Sequence, residues 1–70
     1  MAKDHLALRI RAFRKLKGYT QHELAERLGV SVAVLGSIER GTRKIDPKLL
    51  ARIAETLHID QEELLQASEG

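Results

Sequence analysis

Three histidines and three serines are the first side chains to consider in this 70-residue chain as metal ligands or nucleophiles. The histidines are too scattered to form a metal site with one another; they are His5, His22 and His58. The serines have no arranged base and the chain has no glycine-rich phosphate loop; they are Ser31, Ser37 and Ser68. No cysteine is available for a disulfide or a zinc finger. We therefore expect no catalytic residue, metal, cofactor or small-molecule substrate, and no enzyme.

Positive charge is the other chemical resource of the chain, and it is unevenly distributed. The net charge is +2, but residues 1–17 carry six basic side chains against one acidic one, whereas residues 46–70 carry two against six. Such a gradient fits solvated helix faces as well as a basic surface that meets a polyanion. The two aromatic residues, Phe13 and Tyr19, are too few for a surface that stacks single-stranded bases. Charge alone leaves the solvated face and the polyanion site both open.

Composition and periodicity predict one compact all-α domain. Leu, Ile, Val and Phe supply 20 of the 70 residues, which is enough for one small core. The spacing of the apolar residues is mostly helical. No apolar run approaches the roughly 20 residues of a membrane span, and the first residues do not resemble a signal peptide. We expect a soluble, cytoplasmic protein with no membrane partner.

Capping signals divide the chain into five helices. Asp4 is expected to cap the first, which ends near Gly18. Its apolar positions are Leu6, Ile10, Phe13 and Leu16. Thr20 and Glu23 form a capping box for the second helix, which stops at Gly29. The buried positions of that helix are Leu24, Ala25 and Leu28.

The remaining three helices have equally clear start signals. Ser31 is expected to cap the third helix, which buries Leu35 and Ile38 and ends before Gly41. Asp46 followed by Pro47 begins the fourth. Its apolar positions are Leu49, Leu50, Ile53, Ala54 and Leu57. A second capping box, Asp60 with Glu63, begins a short fifth helix that carries Leu64 and Leu65, and residues 67–70 are expected to fray.

The segment from Gln21 to Arg40 has the pattern of a helix-turn-helix. Two helices that cross after a short turn need a small residue where their backbones approach, and Ala25 supplies it. The turn benefits from positive φ, which Gly29 accepts without strain. Apolar side chains then fix the second helix against the first; they are Val30, Leu35 and Ile38. An ordinary helical hairpin satisfies part of this pattern, but not all of it.

The resemblance extends well beyond the hairpin. Matching segments are Ile10-Arg11-x-Phe13-Arg14, Gly18-x-Thr20-Gln21-x-x-Leu24-Ala25, Gly29-Val30-Ser31, Ile38-Glu39-Arg40-Gly41, Leu49-x-x-x-Ile53-Ala54 and Leu57-x-Ile59. This sequence resembles the Cro/phage-repressor (XRE-type) family of DNA-binding domains over about residues 6–65. The resemblance implies a lambda-repressor-like five-helix domain over residues 1–70, with its helix-turn-helix at 20–40. It also implies a bacterial or phage regulator that binds operator DNA as a homodimer, with the third helix, residues 31–40, in the major groove.

The resemblance implies a role for each matching residue. Thr20 and Gln21 begin the second helix, and in relatives the counterpart of Gln21 bonds a phosphate and braces the recognition helix. Relatives place an internal salt bridge at the positions of Arg14 and Glu39; a solvated Glu39 at the helix end is the alternative. The loop residues that relatives use to grip the DNA backbone correspond to Arg40, Arg43 and Lys44, and such contacts carry no sequence information.

The recognition helix departs from the family pattern. Relatives carry long polar side chains at the positions of Val32, Ala33 and Ser37, where they read bases. These three side chains are apolar or short, so they cannot form the paired hydrogen bonds by which proteins recognise adenine or guanine. The contacts that remain are those of Val32 and Ala33 with thymine methyl groups, one hydrogen bond from Ser37 and a base contact from Arg40. Gly36 stands where Ser is frequent and costs about 1 kcal/mol of helix propensity.

These departures leave two functional hypotheses open. The first is a DNA surface whose specificity depends on DNA shape. Its predicted residues are Thr20, Gln21, Ser31, Val32, Ala33, Gly36, Ser37, Arg40, Arg43 and Lys44. The alternative is a protein-interaction module, such as an antirepressor or adaptor, whose apolar third helix contacts a protein. The predicted dimer patch comprises Ile59, Leu64 and Leu65, although Leu64 is better explained as part of the monomer's own core.

Overall fold

Five α-helices connected by short loops form the computed structural model, which describes the backbone of residues 2–65 and the side chains of residues 5–65. The helices are α1 (Ala2–Leu16), α2 (Gln21–Leu28), α3 (Val32–Arg40), α4 (Pro47–Leu57) and α5 (Gln61–Leu65). No strand occurs within residues 2–65. The predicted all-α class and the number of helices are confirmed. Residues 67–70, which were expected to fray, lie outside the described part of the chain.

The first helix differs from the prediction at both ends. It begins at Ala2, so Asp4 belongs to its first turn and the prediction of Asp4 as its cap is wrong. An acidic residue suits the first turn as well as the cap, because both positions lie in the positive end of the helix dipole. At the other end Leu16 is 75% exposed, so it does not extend the apolar face as expected. The chain turns away at Gly18, with φ at 84°.

The caps of α2, α3 and α4 form as predicted. The Thr20 hydroxyl accepts from the Glu23 amide at 3.1 Å, and the Glu23 carboxylate accepts from the Thr20 amide at 2.8 Å. Ser31 and Asp46 accept in the same way from amides three residues later, those of Val34 and Leu49. Each cap satisfies an amide that the first turn of a helix leaves free. These three caps fix where α2, α3 and α4 begin.

The second predicted capping box is only half formed. The Glu63 carboxylate accepts from the Asp60 amide at 3.3 Å. The Glu63 amide instead bonds the Asp60 carbonyl, at 3.0 Å. The Arg9 side chain also contacts this turn, donating twice to the Glu63 carbonyl at 2.9 and 2.7 Å. This contact ties α5 to α1.

One hydrophobic core joins all five helices. Its fully buried large side chains are Ile10, Leu24, Leu28, Leu35, Ile38, Ile53, Leu57 and Leu64. Leu49, Leu50 and Ile59 are half-buried against them. Leu64 therefore belongs to the core, whereas Leu65 is 53% exposed. None of the helices within residues 2–65 has both the length and the apolar content that crossing a membrane requires.

Candidate nucleic-acid interface

The turn between α2 and α3 has the geometry that its sequence predicts. Gly29 ends α2 with φ at 78°, a conformation that side chains disfavour. The Val30 amide returns to the Ala25 carbonyl at 3.0 Å, which closes the end of α2. Ala25 is buried where α2 and α3 meet, and Val30 packs against the core. The turn therefore fixes the direction in which α3 leaves α2.

A buried ion pair holds α3 against α1. Arg14 and Glu39 are the buried charged residues among side chains 5–65. Arg14 Nε lies 2.7 Å from Glu39 Oε2, and Nη2 lies 3.2 Å from Oε1, so the pair is bidentate. The remaining guanidinium nitrogen, Nη1, donates to the Tyr19 carbonyl at 2.9 Å. This arrangement neutralises the one acidic residue of α3 and fixes the helix from its inner side.

Gln21 connects the start of α2 to the same pair. Its side-chain Nε2 donates to Glu39 Oε1 at 3.1 Å. The Glu39 carboxylate thus accepts from two side chains, and Gln21 is held beside the end of α3. The amide oxygen of Gln21 makes no hydrogen bond within residues 5–65, so it remains able to accept one. Thr20, the adjacent cap, is exposed.

The outer face of α3 carries short side chains. Ala33 is exposed, and the Ser37 hydroxyl donates to the Ala33 carbonyl at 3.2 Å, within its own helix. Val32 is half-buried against the core, so part of the methyl surface expected to meet DNA is already used for packing. Ser31 is exposed beside them, and its hydroxyl caps the helix. Long, freely projecting base readers are therefore absent from positions 31–37 of the described chain.

The loop after α3 presents two exposed basic residues, Arg43 and Lys44. It begins at Gly41, where φ is 77°. The Thr42 hydroxyl donates to the Ser37 carbonyl at 3.2 Å, which anchors the loop to the end of the helix. Arg43 and Lys44 also line a cavity of about 410 Å³ together with the apolar residues Leu6 and Ala7 of α1.

Arg11 also belongs to this surface, although the sequence pattern did not indicate it. It lines a polar cleft of about 350 Å³ whose other members are Arg14, Gln21, Gly36, Glu39 and Arg40. The cleft thus brings together α1, the start of α2 and the end of α3. Five of its six lining residues were predicted as site residues from the family pattern. Arg11 was not, although the motif contains it, because its direction depends on how α1 crosses α3.

Comparison with known proteins identifies the scaffold. The family model described as helix-turn-helix matches residues 10–64 of the chain. The chain belongs to the helix-turn-helix family. The resemblance to Cro/phage-repressor domains of the XRE type is confirmed, and with it the lambda-repressor-like fold.

Relatives of this helix-turn-helix chain carry regulatory names. It is 54% identical over 56 residues to YazB of Bacillus subtilis, an uncharacterised HTH-type transcriptional regulator, covering 80% of this chain and 81% of YazB. It is 39% identical over 59 residues to the HTH-type transcriptional regulator SlrR of the same organism. That match covers 83% of this chain but only 39% of SlrR, which is therefore considerably longer than the shared domain.

Solved structures show the same fold. The clp gene regulator ClgR from C. glutamicum superposes with a TM-score of 0.92 at 33% identity, covering 100% of this chain and 90% of that chain. The restriction-modification controller protein C.AhdI from Aeromonas hydrophila superposes with a TM-score of 0.83 at 31% identity, covering 89% and 94% of the two chains. These relatives place the chain in the class of helix-turn-helix transcriptional regulators and confirm the prediction that it is not an enzyme.

Proposed function

We propose that this chain binds duplex operator DNA through α3, which enters the major groove, and thereby regulates transcription in a bacterial cytoplasm. The observation that carries the proposal is the charge around α3. Its one acidic residue, Glu39, is neutralised by Arg14, whereas Arg40 at its end and the loop residues Arg43 and Lys44 are exposed. A polyanion that approaches α3 therefore meets uncompensated positive charge.

Phosphate contacts supply most of the affinity in this proposal. Thr20 and Gln21 stand at the start of α2, where free amides and the helix dipole favour an anion. Gln21 also has one side-chain amide hydrogen available to donate beyond its bond to Glu39. Arg43 and Lys44, in the loop after α3, contact phosphates of the DNA backbone. Contacts of this kind fix the position of the protein but do not distinguish sequences.

Base readout is weak in this proposal. Ala33 and the exposed part of Val32 offer methyl contact to thymine, and the Ser37 hydroxyl can accept or redirect one hydrogen bond. Ser31 brings the backbone close to the groove without a long side chain, whereas Gly36, also expected at the DNA surface, is buried beside the Arg40 side chain. Specificity then depends on DNA shape and deformability more than on base edges.

The active species is proposed to be a homodimer. Helix-turn-helix dimers place their recognition helices about 34–36 Å apart, one turn of DNA. Of the predicted dimer patch, Leu65 is exposed and Ile59 half-buried, while Leu64 is used in the monomer core. Sedimentation of the protein with and without a palindromic duplex tests this point. A dimer is expected at least on DNA; a monomer under both conditions contradicts it.

A protein partner is the alternative, and the short apolar face of α3 is the observation that favours it. Ala33 and Val32 would then pack against a protein in place of DNA. The two hypotheses differ in their salt dependence, because DNA binding releases counterions and apolar contact does not.

The test is a salt titration of binding to a 20-base-pair duplex of mixed sequence. We expect affinity to fall steeply with salt, and Arg43→Ala or Lys44→Ala to reduce the logarithmic salt slope by about one unit each. Arg9→Ala removes the same charge from a side chain that bonds the Glu63 carbonyl of α5, outside the proposed interface, and serves as the control. Binding that is absent, or insensitive to salt, contradicts the proposal and favours the protein partner.

A further inference from the structure

The polar cleft between α1 and α3 contains an arginine arrangement that the helix-turn-helix pattern does not explain. Arg11 and Arg40 lie on different helices and line the same cleft of about 350 Å³. Neither makes an ion pair or hydrogen bond with any residue in the range 5–65. The cleft also contains Arg14 and Glu39, whose charges cancel. Its lining therefore retains two positive charges and no free negative one.

The Arg40 side chain lies over Gly36. A Cβ built on Gly36 stands only 3.2 Å from Arg40 Nη1, closer than side chains ordinarily approach. Arg40 is one helical turn after Gly36, so its guanidinium folds back across the outer surface of α3. The missing side chain at position 36 makes room for it. A Cβ alone requires Arg40 Nη1 to shift by a few tenths of an ångström, and the further atoms of a β-branched side chain require a larger shift of the guanidinium.

Both arginines are exposed, so water screens their mutual repulsion, while an anion in the cleft is attracted by both charges. A phosphate diester suits this site, because guanidinium groups bind its oxygens through paired N–H donors. The start of α2, which is proposed to approach the DNA backbone, reaches the same cleft through Gln21. The cleft is therefore located where a backbone phosphate would pass if α3 occupies the major groove.

We propose that Arg11 and Arg40 bind one DNA phosphate jointly, and that Gly36 makes this possible by letting Arg40 fold back over α3. This inference rests on the proposed binding of duplex DNA. It adds Arg11 to the interface and gives Gly36 a positioning role. It also makes Arg40 a ligand of the backbone and not a reader of bases, which limits the specificity of α3 further.

Salt slopes distinguish a shared phosphate from two separate ones. Each neutralised phosphate contributes about −0.9 to the logarithmic salt slope. If one phosphate is shared, Arg11→Ala or Arg40→Ala alone leaves the phosphate contacted, and the slope changes by well under half a unit. The double variant then loses about one unit. Slope losses of about one unit for each single variant and about two for the double variant overturn the proposal.

Gly36→Val tests the positioning role in the same titration. Its side chain occupies the space of the Arg40 guanidinium, so this variant is expected to behave like Arg40→Ala. Alone it changes the slope little, and combined with Arg11→Ala it lowers the slope by about one unit. A full wild-type slope for the combined variant, with circular dichroism showing a folded protein, contradicts the role of Gly36. If Gly36→Val does not fold, the arginine pair still tests the shared phosphate.

Two further measurements separate this inference from its assumption. If the wild type does not bind the duplex in a salt-dependent way, the proposed function itself is wrong. If it binds but the arginine effects are additive, only the shared phosphate is wrong. Inorganic phosphate is titrated into the protein at constant ionic strength as a third arm. Saturable binding of that ion, together with an unchanged salt slope in the double variant, assigns the cleft to a free anion and overturns its assignment to DNA.

Discussion

The inner and outer faces of α3 differ in how tightly their residues are constrained. On the inner face Leu35 and Ile38 are fully buried and Glu39 is held by two side chains. On the outer face Ala33 is exposed and Ser37 is half-buried, and the Ser37 hydroxyl bonds only within its own helix. The inner face thus fixes the position of the helix, while the outer face carries only short side chains. The buried inner face therefore belongs to the scaffold, whereas Val32 serves both faces because it is half-buried against the core.

Removing Glu39 is the largest test of this contrast. Glu39→Ala leaves the Arg14 guanidinium buried without its partner, and loss of one member of a buried pair costs about 3–5 kcal/mol of the free energy of unfolding. Glu26→Ala, which removes a charge of the same sign from an exposed position on α2, is the control. Thermal and urea unfolding of the two variants measure the difference. Equal melting temperatures contradict a structural role for the pair.

The two leucines of α5 repeat the contrast between buried and exposed faces. Leu64→Ala removes a fully buried side chain and is expected to lower the free energy of unfolding by about 2–5 kcal/mol. Leu65→Ala, next to it but exposed, is expected to change stability by less than about 0.5 kcal/mol. If Leu65 lies in the dimer interface, its replacement weakens dimerisation in sedimentation while leaving the melting curve of the monomer unchanged. A large loss of monomer stability in Leu65→Ala contradicts this division.

Two serines of α3, its cap Ser31 and the internal Ser37, provide a smaller test. Ser31→Ala removes the cap that accepts from the Val34 amide and is expected to cost about 1 kcal/mol. Ser37→Ala removes a hydroxyl that bonds back to the Ala33 carbonyl, a contact that does not stabilise helices, so stability is expected to be unchanged or slightly higher. Unfolding curves compare the two. A larger loss in Ser37→Ala shows that the outer face contributes to the scaffold after all.

Local signals in the sequence predict most of the scaffold because they act over three or four residues. The Thr20 capping box, the Ser31 and Asp46 caps and the positive φ of Gly29 all depend on neighbours along the chain. The predictions for Asp4 and Leu16 were wrong for two reasons. A good capping residue does not prevent a helix from starting before it, as α1 does at Ala2. An apolar residue is buried only where the helix still contacts the core, and α1 no longer does so at Leu16. The exposed fraction of Leu16 depends on where α1 leaves its neighbours.

The candidate interface was less predictable than the scaffold. The family pattern indicated the ion pair and the loop residues, but the cleft depends on the crossing of α1 and α3. Arg11 is separated from Arg40 by 29 positions in the sequence, and no spacing rule connects them. The close approach of Arg40 to position 36 depends on the rotamer of Arg40, which sequence patterns do not specify.

The central claim is that phosphate contacts, and not base readout by α3, dominate DNA binding. Its most direct test is a binding-site selection from a random duplex library at one fixed salt concentration, performed with the wild type and with Arg40→Ala. We expect modest sequence preference in the wild type, and the same preference at lower affinity in Arg40→Ala. A long G·C-rich site with sharp preference at every position, or a preference that disappears in Arg40→Ala, would contradict the account.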